Sequence, residues 1–339
     1  MTKNVTLPDD DDQQQQQQAG NSVDVEDNNV VVQNNHEKMS RPYYRDEVEF
    51  RNRDELEAIS LDWDKMRIHS LLICERVLGT AHKDMIYRLM FRGASYADSL
   101  KFQQCIDLWK YALELRVKKD SILYCDTCFT GQALVRLFFN LHSKYVDERS
   151  IDHDVQIEDV LSTVELLVRD MPDSMAKLQV LPVYKRQQES YNRIMNIITH
   201  LLHLLTLLMN NNDQQQQPDG DGEGGEGDEG GKTRPPAVEL SQQQVLDIKR
   251  RVHHIVHRVD PRTTNGDSLL HMSCMRKNTL KGQSVIEESA VNFFPSHNVV
   301  KLLVECGAKI NAMNTLASTP LHTASLACNF NQEVRRSGS

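Results

Sequence analysis

The sequence lacks a long apolar run, an apolar leader and any excess of basic charge. Its longest apolar stretch, residues 194–209, spans 16 residues and contains Asn196, His200 and His203. A membrane helix needs about 20 mostly apolar residues, so we interpret this stretch as a buried helix whose two histidines are hydrogen-bonded in the core. The N-terminus begins with polar and acidic residues instead of an apolar leader. We therefore expect a protein of the cytosol or nucleus with no membrane partner.

The charge of the chain is unevenly distributed. The formal net charge is −9 at pH 7, and residues 1–41 and 210–236 each contribute −5 of it. The remainder is close to neutral and lacks the basic footprint of nucleic-acid-binding proteins, so no nucleic-acid partner is expected. Seven cysteines, an odd number without a signal peptide, indicate reduced thiols.

Composition divides the chain into four segments. Residues 1–41 are rich in Asp, Gln and Asn, and residues 210–236 add Gly to these, so we expect a disordered tail and a flexible acidic linker. Residues 42–209 have helical periodicity, and residues 237–335 contain a helix followed by ankyrin-like repeats. The predicted fold class is all-α: a solenoid of helical hairpins in which a tetratricopeptide-like region precedes truncated ankyrin repeats.

The apolar periodicity and the capping residues predict individual helices. In the first region they are expected from Asp54, from 63 to Gly79, and at 84–98, 102–118, about 126–145, 157–169 and 188–209. The second of these should bury one face, formed by Met66, Ile68, Leu71, Leu72, Val77 and Leu78. In the second region Ser241 and Gln244 fit a capping box at the start of a helix that ends before Pro261.

The stretch "FRGASYADSLKFQQCIDLWKYALEL" (91–115) has the residue spacing of a tetratricopeptide repeat. Such a repeat, about 34 residues long, places small residues where two helices cross and large residues beside them. With Gly93 at position eight, the other signature positions are filled by residues of suitable size: Tyr96, Phe102, Cys105, Trp109 and Ala112. We expect Gly93 and Cys105 to let the helices approach, and the clearest repeat to cover about 86–119. Because one convincing repeat makes no peptide groove, the expected role is structural.

Two short segments, "NGDSLLHMS" (265–273) and "ASTPLHTAS" (317–325), carry the same turn followed by Leu-His. His271 and His322 are 51 residues apart, about 18 more than the ankyrin period of about 33. One repeat therefore carries an insertion, which we place between Asn278 and His297.

The ankyrin-like segments also predict roles for single residues. Ser318 or Thr319 should cap a helix with Pro320 in its first turn, Leu321 should enter the core, and His322 should hydrogen-bond backbone between repeats. A helix without its partner would leave Leu321 and Ala324 poorly covered. Asn265 and Gly266 suit the turn before the first repeat, and Gly307 suits a left-handed position after a helix. The structural signature of these repeats is Leu270, His271, Gly307, Thr319, Pro320, Leu321 and His322.

No pattern typical of catalysis or metal binding is found. Cys125 and Cys128 lack the second ligand pair of a zinc site and are interpreted as small helix residues. The histidines at 253, 254 and 257 lack the Glu of a HExxH motif and lie among Lys249, Arg250, Arg251 and Arg258, which indicates a solvated basic helix face. GxSxG, P-loop and GxGxxG motifs are absent from the sequence. We therefore predict no catalytic, metal-binding or cofactor-binding residue, no cofactor and no enzymatic activity.

Several stretches together resemble the Fem (feminization) family, most closely its A/C type. They are the tetratricopeptide stretch and "RPYYRDEVEFRNRDELEAI", "MRIHSLLICERVLGTAH", "DPRTTNGDSLLHMS", "FFPSHNVVKLLVECGAKINA" and "STPLHTAS". The resemblance covers roughly 42–145 and 245–334. It implies the central part of a substrate receptor of a cullin-RING ubiquitin ligase, acting as a scaffold in ubiquitin-dependent protein degradation. In that family an N-terminal ankyrin array binds degron-bearing substrates, a C-terminal box binds elongin B/C and a cullin, and other subunits carry out the chemistry.

The chain departs from this family pattern at both ends. A tail stands where the ankyrin array is expected, and "RRSGS" interrupts the final repeat, so no substrate-pocket residue is transferred to this chain. We expect a fragment, a shortened isoform or a faulty gene model. The alternative is an independent tetratricopeptide/ankyrin adaptor unrelated to ubiquitin. An in-frame ankyrin array upstream of Met1 in the transcript would favour the receptor, and stop codons before a genuine start would favour the adaptor.

Overall fold

The computed structural model describes residues 42–148, 154–180, 184–210, 240–276, 278 and 293–326. The predicted N-terminal tail, the acidic linker after residue 210 and residues 279–292 of the insertion predicted between Asn278 and His297 lie outside the described residues. Within the described ranges no β-strand forms, and the one isolated bridge joins Arg262 to Ser268. The predicted all-α fold is confirmed.

Twelve α-helices span most of the described chain. They are α1 (Arg53–Ile59), α2 (Trp63–Leu78), α3 (Lys83–Asp98), α4 (Phe102–Asp120), α5 (Cys125–Ser143), α6 (Ile157–Arg169), α7 (Met171–Leu178), α8 (Lys185–Asn210), α9 (Gln242–His254), α10 (Leu269–Cys274), α11 (His297–Glu305) and α12 (Pro320–Ser325). Short 3₁₀ or π-helical turns lie at Pro42–Tyr44, Lys144–Glu148 and Ile255–Val259.

The ends of α2 and α9 follow from their capping residues. The Asp62 carboxylate accepts hydrogen bonds from two backbone N–H groups in the first turn of α2, and Gly79 ends that helix with a φ of 80°, a value that favours glycine. Ser241 and Gln244 form the predicted capping box at the start of α9. The prediction that Val77 and Leu78 belong to the buried face of α2 is wrong. Val77 is 65% exposed and Leu78 39%. At about 100° per residue, Val77 lies half a turn from the buried Ile68, on the opposite side of the helix, and Leu78 lies at the edge of the buried face.

Helix α7 was missed in the sequence. Its eight residues bury only Met171, Ser174 and Leu178, too few positions for a recognisable apolar period. The start of α7 is instead favoured by Pro172 in its first turn.

The apolar core forms two clusters that meet. The smaller one joins Tyr44 to α2, α3 and α4, and the larger one runs from α4 through α8 to α9, α10 and α11. Trp109 and Leu137 pack against both clusters. The described parts of the tetratricopeptide-like and ankyrin-like regions therefore share one continuous core.

Helix α8 forms the centre of the larger cluster. Most of its residues between Ser190 and Leu208 are buried, including His200 and His203, which confirms the predicted buried helix. In the described part of the chain, no helix combines the length and the apolarity needed to cross a membrane.

Candidate protein-interaction scaffold

The tightest contact of the tetratricopeptide-like hairpin lies between Gly93 on α3 and Trp109 on α4. A Cβ atom added to Gly93 would lie 2.4 Å from the Trp109 indole, closer than any real side-chain contact. The indole Nε1 donates a hydrogen bond of 3.0 Å to the Met90 carbonyl oxygen. The absence of a side chain at Gly93 thus leaves space for the indole. The hydrogen bond to Met90 fixes the orientation of the indole between α3 and α4.

The other signature residues of the hairpin lie where the spacing predicts. Cys105 and Ala112 are fully buried on α4, and Phe102 is partly buried. Burial raises the pKa of the Cys105 thiol to about 12, so this cysteine serves as a small packing residue. The turn between the helices is closed by a 2.8 Å hydrogen bond from the Lys101 N–H to the Tyr96 carbonyl oxygen.

An acidic residue that the sequence analysis missed ties α2 to this hairpin. The Asp64 carboxylate accepts a 2.8 Å hydrogen bond from the Tyr96 hydroxyl and contacts the Arg92 guanidinium. Arg92 also lies 4.0 Å from the centre of the Tyr96 ring. Burial alone would raise the pKa of Asp64, but the Tyr96 hydrogen bond and the charges of Arg92 and Lys101 hold it below its ordinary value. Tyr96 therefore joins the hairpin to its neighbour through a charged pair.

In the first ankyrin-like repeat, His271 links two turns. Its Nδ1 accepts a 3.2 Å hydrogen bond from the Ser268 N–H, so the ring proton is on Nε2. That Nε2–H donates to the Ser318 carbonyl oxygen at 2.9 Å, next to the start of α12. The imidazole caps its own helix and holds the following repeat.

His322 caps its own helix in the same way, but the bond to the next repeat that His271 makes is not repeated within the described residues. Its Nδ1 accepts a 3.2 Å hydrogen bond from the Thr319 N–H, and Pro320 occupies the first turn as expected. The predicted backbone bond between repeats is made by His271, and none from His322 is seen within the described residues. His322 is exposed.

The prediction that Leu321 enters the core is wrong for the described residues. Leu270, its counterpart in the first repeat, is 4% exposed within the larger core cluster, whereas Leu321 is 77% exposed. The physical reason is that α12 packs against α10, the helix of Leu270, whereas no described residue beyond 326 packs against α12 in the same way. The expectation that Leu321 would be poorly covered is therefore the one that holds.

Turn residues of the ankyrin-like repeats have the expected backbone. Gly266 and Gly307 have φ values of 76° and 86°, which favour glycine. The Asn265 carbonyl oxygen accepts a 2.9 Å hydrogen bond from the Thr315 N–H. Successive turns are therefore linked by backbone as well as by His271.

Three polar contacts join the two repeat types. The Asn192 side chain on α8 donates to the Thr264 hydroxyl at 2.8 Å and accepts from the Thr264 N–H at 3.0 Å. Farther along α8, His203 Nδ1 lies 3.0 Å from the Ser296 hydroxyl, directly before α11. On α9, Arg251 contacts Glu158 and Glu165 of α6, each at 2.6 Å.

The two histidines of α8 lie in an aromatic cluster with Phe139, Phe293 and Phe294. His200 Nδ1 donates to the Asn196 carbonyl oxygen at 2.7 Å, whereas its Nε2 is buried without a hydrogen-bond partner in the described part of the chain. Burial lowers the pKa of both His200 and His203 to about 4. Both rings are therefore neutral packing groups at physiological pH.

The residues considered for chemistry lie apart. Cys125 is exposed, while Cys128 is buried and its Sγ donates to the Ser190 carbonyl oxygen at 3.2 Å. Burial raises the pKa of Cys128 to about 12, which disfavours the thiolate that nucleophiles and metal ligands need. In the described ranges, no three His, Cys, Asp or Glu side chains are arranged to hold a metal ion.

The basic face of α9 is more structured than the sequence predicted. The histidines at 253, 254 and 257 are exposed as expected. Lys249 and Arg251, however, are neutralised by Glu305 and by the two glutamates of α6, and His253 Nδ1 donates to the Cys306 carbonyl oxygen at 2.9 Å. Only part of this face is therefore solvated.

An open cavity of about 660 Å³ lies where α4, α6 and α7 end. Its cations, Lys118, Lys119, Arg169 and Lys177, all occupy the last turns of these helices, where positive charge offsets the helix dipole. The lining combines these cations with Asp120, Asp170 and Asp173. This arrangement is typical of helix-end compensation.

The fold and these contacts define a helical-repeat protein in which a tetratricopeptide-like hairpin and ankyrin-like repeats are built around one core. No protein-family model matches the chain. Its curated relatives include Fem-1 homolog A of Danio rerio, 30% identical over 284 residues, the human Fem-1 homolog A, 30% over 271, and Fem-1 homolog C of Mus musculus, 29% over 281. The chain belongs to the Fem family.

These alignments cover most of this chain but only part of each relative. They include 84%, 80% and 82% of the chain, and 39%, 34% and 38% of the three relatives. The chain thus spans less than two fifths of the length of the relatives it matches.

Proposed function

We propose that the chain is the central part of a substrate-recognition subunit of a cullin-RING ubiquitin ligase. In this role it is a non-catalytic scaffold of the cytosol or nucleus, and partner subunits transfer ubiquitin. Its task is to hold a substrate-binding part and a cullin-binding part at a fixed separation. The family membership supports this proposal, as does the resemblance of residues 42–145 and 245–334 to stretches of that family.

The observation that carries the proposal is the continuity of the core across α8. Helices α5 and α6 of the first region and α10 and α11 of the ankyrin-like repeats all pack against this helix. Asn192–Thr264 and His203–Ser296 are polar contacts to the repeats at two levels. A rigid connection of this kind suits a spacer between two binding modules, because flexibility would reduce the effective concentration of a substrate near the ubiquitin donor.

The experiment compares the chain alone with a chain extended by the flanking parts of a Fem-1 homolog A. The chain alone is expected to retain neither elongin B/C nor labelled peptides that end in arginine. The extended protein is expected to retain both. Capture of elongin B/C by the chain alone, or failure of the extended protein to capture it, would contradict the proposal.

A further inference from the structure

The outward side of α9 and of the following turn Ile255–Val259 carries a stripe of exposed side chains. The opposite side is buried through Ile248, Val252 and Ile255. Exposed residues recur every three or four positions, which places them on one helix face. This α9 outer stripe consists of Leu246, Arg250, His254, His257 and Arg258.

The charges of the stripe differ from those beside it. Lys249 lies 2.9 Å from Glu305, and Arg251 contacts the two glutamates of α6, so these cations are used in the seams with neighbouring helices. Arg250 and Arg258 form no ion pair within the described ranges. Asp247 is the carboxylate nearest in sequence on the exposed side. In the stripe, two guanidinium groups with imidazoles between them are therefore exposed and can bind another molecule.

The distance between the two arginines indicates which peptide could bind both of them. Arg250 and Arg258 are eight residues apart, about 12 Å along a helix. An extended peptide covers about 13 Å in four residues, so carboxylates at positions i and i+4 would reach both arginines. Leu246, 51% exposed, lies one turn before Arg250 and offers an apolar contact at one end.

We propose that the α9 outer stripe docks an acidic segment of a partner protein. Guanidinium groups bind carboxylates with paired, charge-assisted hydrogen bonds, and recognition of acidic motifs by arginine clusters is a recurring binding mode. An acidic protein segment fits better than a nucleic acid, because two arginines without an ion pair in the described ranges neutralise few phosphates. This surface goes beyond the ligase role, and its test uses no ligase subunit.

The test measures fluorescence anisotropy of a labelled dodecapeptide of Gly and Ser with one Leu and with Glu at positions i and i+4. The full chain is compared with the double variant Arg250→Glu/Arg258→Glu. The matched control is Lys185→Glu/Arg186→Glu, which makes the same charge change at the exposed start of α8. Circular dichroism checks that both variants keep their helices.

We expect the full chain to bind this peptide, the stripe variant to bind it about tenfold more weakly, and the control to stay within about twofold. A second peptide, with the two Glu adjacent, should bind more weakly than the first. Absence of binding to the unaltered chain, equal weakening in the control, or tighter binding of a single-stranded RNA of the same length would each overturn the proposal.

Discussion

The Trp109 indole packs directly against the backbone of α3 at Gly93, where a larger residue would place its Cβ atom. Because a Cβ atom would lie 2.4 Å from the indole, Gly93→Ala should lower the free energy of unfolding by about 2–3 kcal/mol through overpacking. Urea unfolding followed by circular dichroism measures this loss. Adding Trp109→Leu should recover part of it, because the smaller side chain removes the clash and the two changes are then not additive.

Gly131 on α5 provides the control for that substitution. Its added Cβ would lie 3.2 Å from Ile197 Cδ1, the end of a flexible side chain. Alanine favours a helix over glycine by about 1 kcal/mol, so Gly131→Ala should change stability little. A similar loss for both alanine variants would show that the Trp109 contact is not the cause.

His271 and His322 have the same local cap but different surroundings. His271 is fully buried and also donates to the Ser318 carbonyl oxygen, so His271→Ala should cost about 2–3 kcal/mol through the lost bonds and the cavity. His322→Ala should cost about 1 kcal/mol or less, the value of a helix cap. Thermal unfolding of the two variants measures the difference, and equal losses would disprove the inter-repeat role of His271.

The free energy of unfolding should decrease at acidic pH, because His200 and His203 of α8 bind protons more readily in the unfolded chain. Their folded pKa values, about 4, lie below the ordinary value of 6.5, so the unfolded chain binds more protons between these values. Stability is then fully present above pH 6.5 and falls toward pH 4, by up to about 1.4 kcal/mol per pH unit for each histidine. Urea unfolding between pH 7 and 5 measures this slope.

The variant His200→Leu isolates one of the two groups. Since His200 Nε2 is buried without a partner among the described residues, leucine should keep or raise stability at pH 7 and reduce the pH slope. The exposed His254 provides the matched control, and the slope of His200→Leu is compared with that of His254→Leu. An unaltered slope in His200→Leu would argue against this account.

The shared core predicts that the two halves stay bound after the chain is cut. A specific protease site placed within residues 211–239 would separate α8 from α9 in sequence, but the core around α8 and the Asn192–Thr264 pair should hold the fragments together. Gel filtration is expected to give one peak. Asn192→Ala should weaken the association about tenfold, and fragments that separate at micromolar concentration would contradict the shared core.

Local patterns predicted most of this architecture. Apolar periodicity located α3, α4, α6 and α8 to within three residues, because each has a long buried stripe and a recognisable end. The packing of Gly93 against Trp109 followed from a spacing that requires one small and one large residue. Such signals are contained in a few consecutive turns and need no knowledge of distant partners.

The polar contacts between helices that are distant in sequence could not be predicted from local patterns. Asp64 pairs with Arg92, 28 residues away, and Asn192 with Thr264, 72 residues away, and polar residues of this kind are common on any helix surface. The burial of Leu321 was mispredicted for a related reason. Its motif specifies the turn and cap, while burial depends on what packs above it.

Helix α8 also determines the angular relationship between the two repeat types. Its contacts with Thr264 and Ser296 come from Asn192 and His203, 11 residues apart on one continuous helix. A single residue inserted between them would turn one contact by about 100° relative to the other and displace it by about 1.5 Å. An insertion or deletion between Asn192 and His203 should therefore break one of these two contacts, so this part of the helix has a fixed length.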